Sequence, residues 1–190
     1  MDILIKAGQL ILAFVILVTI HEFGHYAFAR VFGVKVNRFY LFFNPWFSIL
    51  KWNPRKGTLE FLPHNVKGGG DRAVATWKVG KEHPERADGK PTWRDTIYGL
   101  GWLPLGGYCD IAGMIDETKD ASKLESEPKD WEFRSKPAWQ RLLVMVAGVM
   151  LNFFLAIIIY IGIALHWGDD VIPFSAMKEG MDFSPEMKAA

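Results

Sequence analysis

The chain has 190 residues, half of them hydrophobic and 23% charged, with 22 Lys and Arg against 21 Asp and Glu for a net charge of +1. So even a balance gives no global electrostatic drive toward nucleic acid, and a single cysteine, Cys109, excludes an intramolecular disulfide and a Cys-rich zinc site. A slightly positive mean hydropathy in a chain this charged points to apolar blocks separated by polar ones.

Residues 1–7, with Lys6, are expected to be an outer N-terminus. Residues 8–30 form the first apolar block, read as a retained transmembrane helix. A signal peptide would be followed by a small-x-small cleavage site, and here Ile20 is followed by His-Glu-Phe. Residues 31–136 are a long loop with two apolar stretches too short to span. The first, Val34 to Trp52, carries Asn44-Pro45 as a turn signal. The second, Thr96 to Met114, carries Gly106-Gly107. Each is expected to be a β-hairpin at the membrane surface, with the Gly-rich stretch from Asn65 to Pro91 between them as an exposed flexible insert. Residues 137–166 form the second transmembrane helix. Its core, Leu142 to Leu165, is 24 residues without a charge, roughly 36 Å of helix against a hydrocarbon layer of about 30 Å. Residues 167–190 are a linker rich in acidic residues. The fold class expected is an α-helical polytopic membrane protein with membrane-associated β-hairpins, two of its transmembrane helices lying in this chain.

Basic residues near the helix ends set the orientation. Arg30, Lys35 and Arg38 follow the first helix, and Lys129, Arg134, Lys136 and Arg141 precede or open the second. The loop is therefore expected to be cytoplasmic, with both ends of the chain on the outer side.

Within the first apolar block stands His21-Glu22-Phe23-Gly24-His25. Two histidines four apart share a helix face, and their imidazoles can hold Zn²⁺ while the intervening carboxylate stays free as a general base. Ionisable groups at membrane depth are costly, so they point to function. The second block offers Asn152, four residues after Gly148. His21 lies nine residues from Arg30, about 13 Å of helix, and Asn152 lies eleven from Arg141, about 16 Å. The two are expected at similar depth, so Asn152 can face the metal region. The plain alternative is a packing asparagine between helices.

With HEFGH in the first span, LPLGGY at 103–108, FRSKPAWQRLLVMVAGVMLNF at 133–153 and the tail SPEMKAA, the chain resembles the N-terminal part of a bacterial site-2 protease, a regulated intramembrane zinc metalloprotease of the sigma-E protease regulator type. The resemblance covers most of the chain. It implies a multi-pass protein of the bacterial inner membrane with a PDZ domain on the outer face, whose opening SPEMKAA looks like. It implies zinc on His21 and His25 and Glu22 as the catalytic base. It also implies substrate positioning by Asn152, Gly148, Gly106 and Gly107, with the β-structure clamping an extended substrate. The substrates implied are membrane-spanning proteins such as anti-sigma factors or signal-peptide remnants. The family's third zinc ligand is an aspartate in a Leu-Asp-Gly motif on a later helix, and no such motif occurs here. The chain is thus expected to be an N-terminal piece, inactive alone; Asp110 and His64 are weak substitutes, having no place in the family pattern. Two other readings of the residues remain. A metal transporter or sensor would use the histidines for passage, and a catalytically dead adaptor would keep the scaffold only. No nucleic-acid partner is expected, and nothing in the sequence fixes an oligomeric state.

Overall fold

A computed structural model of the protein describes residues 2–62, 64–66, 70–114 and 127–168. The chain forms two compact units, Met1–Phe153 and Phe154–Ala190. Everything below concerns the first, except that the second helix runs on past it. The tail read as the start of a PDZ domain lies outside the described residues.

Two long helices are present, α1 (Asp2–Val31) and α2 (Ala138–Trp167). Both are long and apolar enough to cross a membrane. Large side chains along α1 such as Leu10 and Leu12 are exposed, an arrangement that costs free energy in water and none in lipid.

The rest of the regular structure corrects the expected fold class. Among the described residues the chain is no polytopic helical protein with hairpin decorations. Two helices stand beside an eight-stranded mixed sheet. The strands are β1 (Val36–Leu41), β2 (Phe43–Asn53), β3 (Thr58–Phe61), β4 (His64–Val66), β5 (Gly70–Arg72), β6 (Ala75–Lys78), β7 (Ile97–Leu103) and β8 (Tyr108–Ile111). Their order is β5-β4-β2-β7-β1-β8, with β3 on β2 and β6 on β3.

Both expected hairpins are replaced by an interleaved arrangement. β1 does not pair with β2, and β7 does not pair with β8. Instead β7 lies between β1 and β2, parallel to the first and antiparallel to the second, while β8 pairs antiparallel with β1 on its other side. Asn44-Pro45 is no turn but part of β2. The reversal falls one step earlier, at Phe42, whose φ of +68° is the left-handed region. The chain then passes β7 at Gly101, where a Cβ would collide with the Phe42 and Phe43 carbonyl oxygens. The β2–β7 register shifts between Phe43 and Ser48, and this bulge is where Pro45, with no N–H to give, is tolerated. Part of the stretch expected as a flexible insert is also sheet: β5 pairs with β4 and β6 with β3.

The core sits where the two helices meet the sheet. Ala29 of α1, Val34, Val36 of β1, Ile111 of β8, Phe133 and Val144 of α2 form one buried cluster. Backbone bonds lace the junction: Lys35 N–H donates to the Trp131 carbonyl, Ala112 N–H to Lys35 and Phe133 N–H to Ala112. Thr96, fully buried, donates its hydroxyl to the Val36 carbonyl at 2.8 Å. This junction fixes the relative position of α1 and the start of α2, one helical turn from His25.

Candidate metal centre

The helices approach each other through glycine. A Cβ on Gly24 would stand 2.6 Å from the Ala147 carbonyl oxygen and 2.9 Å from Gly148 Cα. A Cβ on Gly148 would stand 2.7 Å from His21 Nδ1 and 2.7 Å from His25 Nε2. Real Cβ atoms do not occupy such positions, so α2 presents bare backbone to the two imidazoles. Small residues are what lets helices pack this closely at membrane depth.

That contact sets the imidazole geometry. His25 Nδ1 lies 2.8 Å from the Val144 carbonyl oxygen. A carbonyl only accepts, so Nδ1 carries the proton, and in the neutral ring Nε2 keeps its lone pair. Nε2 points at His21 Nε2, 3.2 Å away. Two nitrogens each about 2.0–2.1 Å from one tetrahedral zinc would be about 3.3 Å apart. The backbone bond to the second ring nitrogen is the orienting contact that metal-binding histidines make. The pair therefore fits zinc. It supplies two protein nitrogens, and among the described residues no group of three His, Cys, Asp or Glu side chains is gathered to hold a metal. Asp110 is engaged elsewhere, with the Asn37 amide donating to it at 3.4 Å; nothing is described of the His64 side chain.

A cleft of about 370 Å³ opens beside the histidines. It is lined by His21 and Glu22 of α1, Asn152 of α2, and Gly106 and Gly107 of the β7–β8 connection, with apolar walls from residues such as Phe14 and Phe43. The structure thus brings five predicted residues to one cavity, and the remaining two, His25 and Gly148, sit directly behind His21. Each glycine of the connection is a close approach. Gly106 has the Phe43 ring in the place of a side chain. Gly107 lies against the Tyr40 carbonyl oxygen and, 3.1 Å from its would-be Cβ, the Glu22 Cγ. Asn152 Oδ1 is buried with no hydrogen-bond partner among the described residues. A buried amide left open at a cavity wall is costly unless something else completes it.

Sequence reasoning found these residues but not the β1–β8 pair next to the β7–β8 connection. Tyr40 and Tyr108 stack with ring centroids 5.0 Å apart and planes 7° from parallel, just behind Gly107. Burial pushes the Tyr108 phenol up to about 12. The sequence carries no local mark of this stack, because Tyr40 and Tyr108 meet only once β1 is paired with β8.

The chain is similar to known proteins over most of its length. The model of Peptidase family M50 matches residues 9–82 and 89–188. The chain belongs to that family, the site-2 protease family. It is 28% identical over 157 residues to zinc metalloprotease Rip1 of Mycolicibacterium smegmatis, covering 83% of this chain and 29% of that protein. It is 29% identical over 157 residues to Rip1 of Mycobacterium tuberculosis, covering 83% and 28%. With metalloprotease MmpA of Caulobacter vibrioides it shares 27% identity over 178 residues, 87% of this chain and 35% of that one. The chain spans about a third of the length of these relatives.

Proposed function

We propose that this chain carries the metal-binding and base-bearing half of an intramembrane zinc metalloprotease. The observation that supports the reading most directly is the His25 ring: its Nδ1 is tied to the Val144 carbonyl, and its Nε2 is held 3.2 Å from that of His21. Gly148 leaves room for both imidazoles against the bare backbone of α2, which fixes the rings at this spacing.

His21 and His25 would hold the zinc, and the third protein ligand would come from outside the described residues. Zinc bound there supplies Lewis acidity, polarising a peptide carbonyl and acidifying a water. Glu22 projects into the same cleft beside His21 and is no ligand. Its carboxylate takes a proton from the attacking water and passes it to the leaving amine. Asn152 presents an open amide that can accept from a substrate N–H or donate to the oxygen where negative charge develops. Gly106 and Gly107 let the β7–β8 connection pack close against Phe43 and Glu22, so that its backbone forms one side of the cleft into which an extended peptide would be laid. The apolar walls suit a membrane-spanning substrate, and anti-sigma factors or signal-peptide remnants are the classes proposed.

The test is zinc content and peptidase rate in the full-length protein. His21→Ala and His25→Ala should each lose zinc, and Glu22→Gln should keep zinc and lose activity. Retained activity in Glu22→Gln overturns the reading. Zinc flux without proteolysis would make the protein a transporter instead. Orientation has its own test: a tag inserted after Glu82 should be shielded in intact cells, placing residues 31–136 in the cytoplasm; an accessible tag reverses that placement.

A further inference from the structure

A second polar cavity lies away from the histidines, where both helices end. It consists of adjoining hollows of about 270 and 790 Å³ that share Arg86, Gly89, Lys90, Lys129 and Trp131. Gly33, just past the end of α1, and Lys136, just before the start of α2, line the larger hollow. Lys35 lines the smaller.

Its charges do not cancel. Arg55 pairs with Glu85 and Asp95, and Arg86 pairs with Asp88 at 2.7 Å. Among the described residues no ion pair engages Lys35, Lys90, Lys129 or Lys136. Over both hollows six basic side chains, Lys35, Arg55, Arg86, Lys90, Lys129 and Lys136, face the four carboxylates of Glu85, Asp88, Asp95 and Asp130, an excess of two positive charges. Two of the lysines crowd one ring: the Lys35 and Lys129 ammonium nitrogens lie 5.0 and 5.2 Å from the Trp131 ring centre. The indole attracts each cation, and an anion entering the hollow that both lysines line is attracted by both. The Lys35–Trp131 backbone bond at 3.0 Å holds both walls of the hollow to β1, so the site exists before any ligand enters.

We propose that this cleft binds a phosphate group carried by an anionic phospholipid. Lysines at the ends of two candidate spans face the headgroup layer, where phosphodiesters are dense and basic residues next to a span gain affinity from them. Indole and ammonium together suit that layer, the ring resting on the apolar side and the cations reaching the phosphate. The inference needs only that α1 and α2 enter a membrane, and it is independent of the chemistry at His21 and His25.

The full-length protein is placed in phosphatidylcholine nanodiscs with and without phosphatidylglycerol, and retained lipid is read by native mass spectrometry after mild detergent release. Wild type should retain phosphatidylglycerol in preference to phosphatidylcholine. Lys90→Gln with Lys129→Gln should lower that preference about thirtyfold, at about fivefold for each lysine near the surface. Arg94→Gln, a basic residue outside the cleft, should leave it unchanged. Equal retention of the two lipids by wild type, or full preference in the double variant, overturns the proposal. Thermal stabilisation by inorganic phosphate that the double variant loses, without lipid preference in wild type, overturns the lipid source and assigns the cleft to free phosphate.

Discussion

Two contacts hold α1 in place, and they are built on opposite principles. Toward α2, beside the histidines, the contact is backbone on backbone, with Gly24 against Ala147 and Gly148 and the two imidazoles against Gly148. Toward the sheet it is an aromatic cluster, in which Tyr26 touches Phe39 and Tyr98, and Tyr98 in turn touches Trp52. There the Tyr26 and Tyr98 hydroxyls lie 2.6 Å apart, and the Tyr98 hydroxyl donates to the Trp93 carbonyl. The first contact fixes distances to a few tenths of an ångström and tolerates no added atom. The second fills space with large rings that can shift. A site that must hold two nitrogens at one spacing is placed on the first contact, and the second keeps the helix from rolling.

The sharpest way to break the comparison is Gly148→Val. Its β-carbon would occupy space now held by both histidines, so zinc content should vanish and peptidase activity fall to background, as read by metal analysis of the purified full-length protein. Stoichiometric zinc in that variant would show that the helix contact does not set the ligand spacing.

Asn152→Leu probes the same contact without adding bulk against the imidazoles. Zinc content should stay, insertion should be unaffected because leucine is better in lipid, and cleavage per bound zinc should fall about ten- to a thousandfold, the upper end being the loss of an oxyanion-type donor. A packing asparagine behaves differently: zinc content and thermal stability would fall together with rate.

On the aromatic side the effects shrink. Tyr26→Phe removes one partner of the hydroxyl pair while Tyr98 keeps its bond to Trp93. It should cost about 1 kcal/mol of stability and alter the rate by less than about twofold, measured by denaturant unfolding and initial rate. A Tyr26→Phe enzyme as crippled as Gly148→Val would erase the distinction.

The smallest effect expected is alkaline. Tyr108, buried and stacked on Tyr40, keeps its proton up to about 12 in the folded protein, whereas an unfolded tyrosine loses it near 10. The unfolded chain therefore binds fewer protons between those values. The stabilisation is complete below about pH 10 and lost as pH rises to about 12. Phenolate absorbance should lag the rise of pH until near-ultraviolet circular dichroism collapses. Tyr108→Phe should remove the lag for one tyrosine.

How far the sequence could be read follows the same division. His21, Glu22 and His25 were legible because i and i+4 on a helix are neighbours by geometry alone. The placement of Asn152 was legible because two helices entering from one side can be matched by length. The strand-bearing stretches were visible in their aromatic and β-branched content. Their partners were not. Neighbouring strands were expected to pair with each other through Asn44-Pro45 and Gly106-Gly107, but β7 inserts between β1 and β2. Strand pairing over long separations is written in which faces bury together, and a single chain carries no local mark of it. The parallel β1–β7 ladder, joining Arg38 to Ile97, leaves no turn motif to find. The basic cleft escaped for a similar reason, since its lysines come from three separated segments that only the folded junction gathers.

The hydrogen bond from His25 to the Val144 carbonyl joins residues 119 positions apart. On a ribosome adding about 5–20 residues each second, the imidazole emerges roughly 6–24 s before its acceptor does. Throughout that interval nothing chooses which ring nitrogen keeps the proton, and Gly148 is not yet there to close the helix pair. Metal capture therefore belongs late in biosynthesis, after the second helix is made, and a nascent chain arrested before residue 144 should emerge from the ribosome with its two histidines still open to chemical modification.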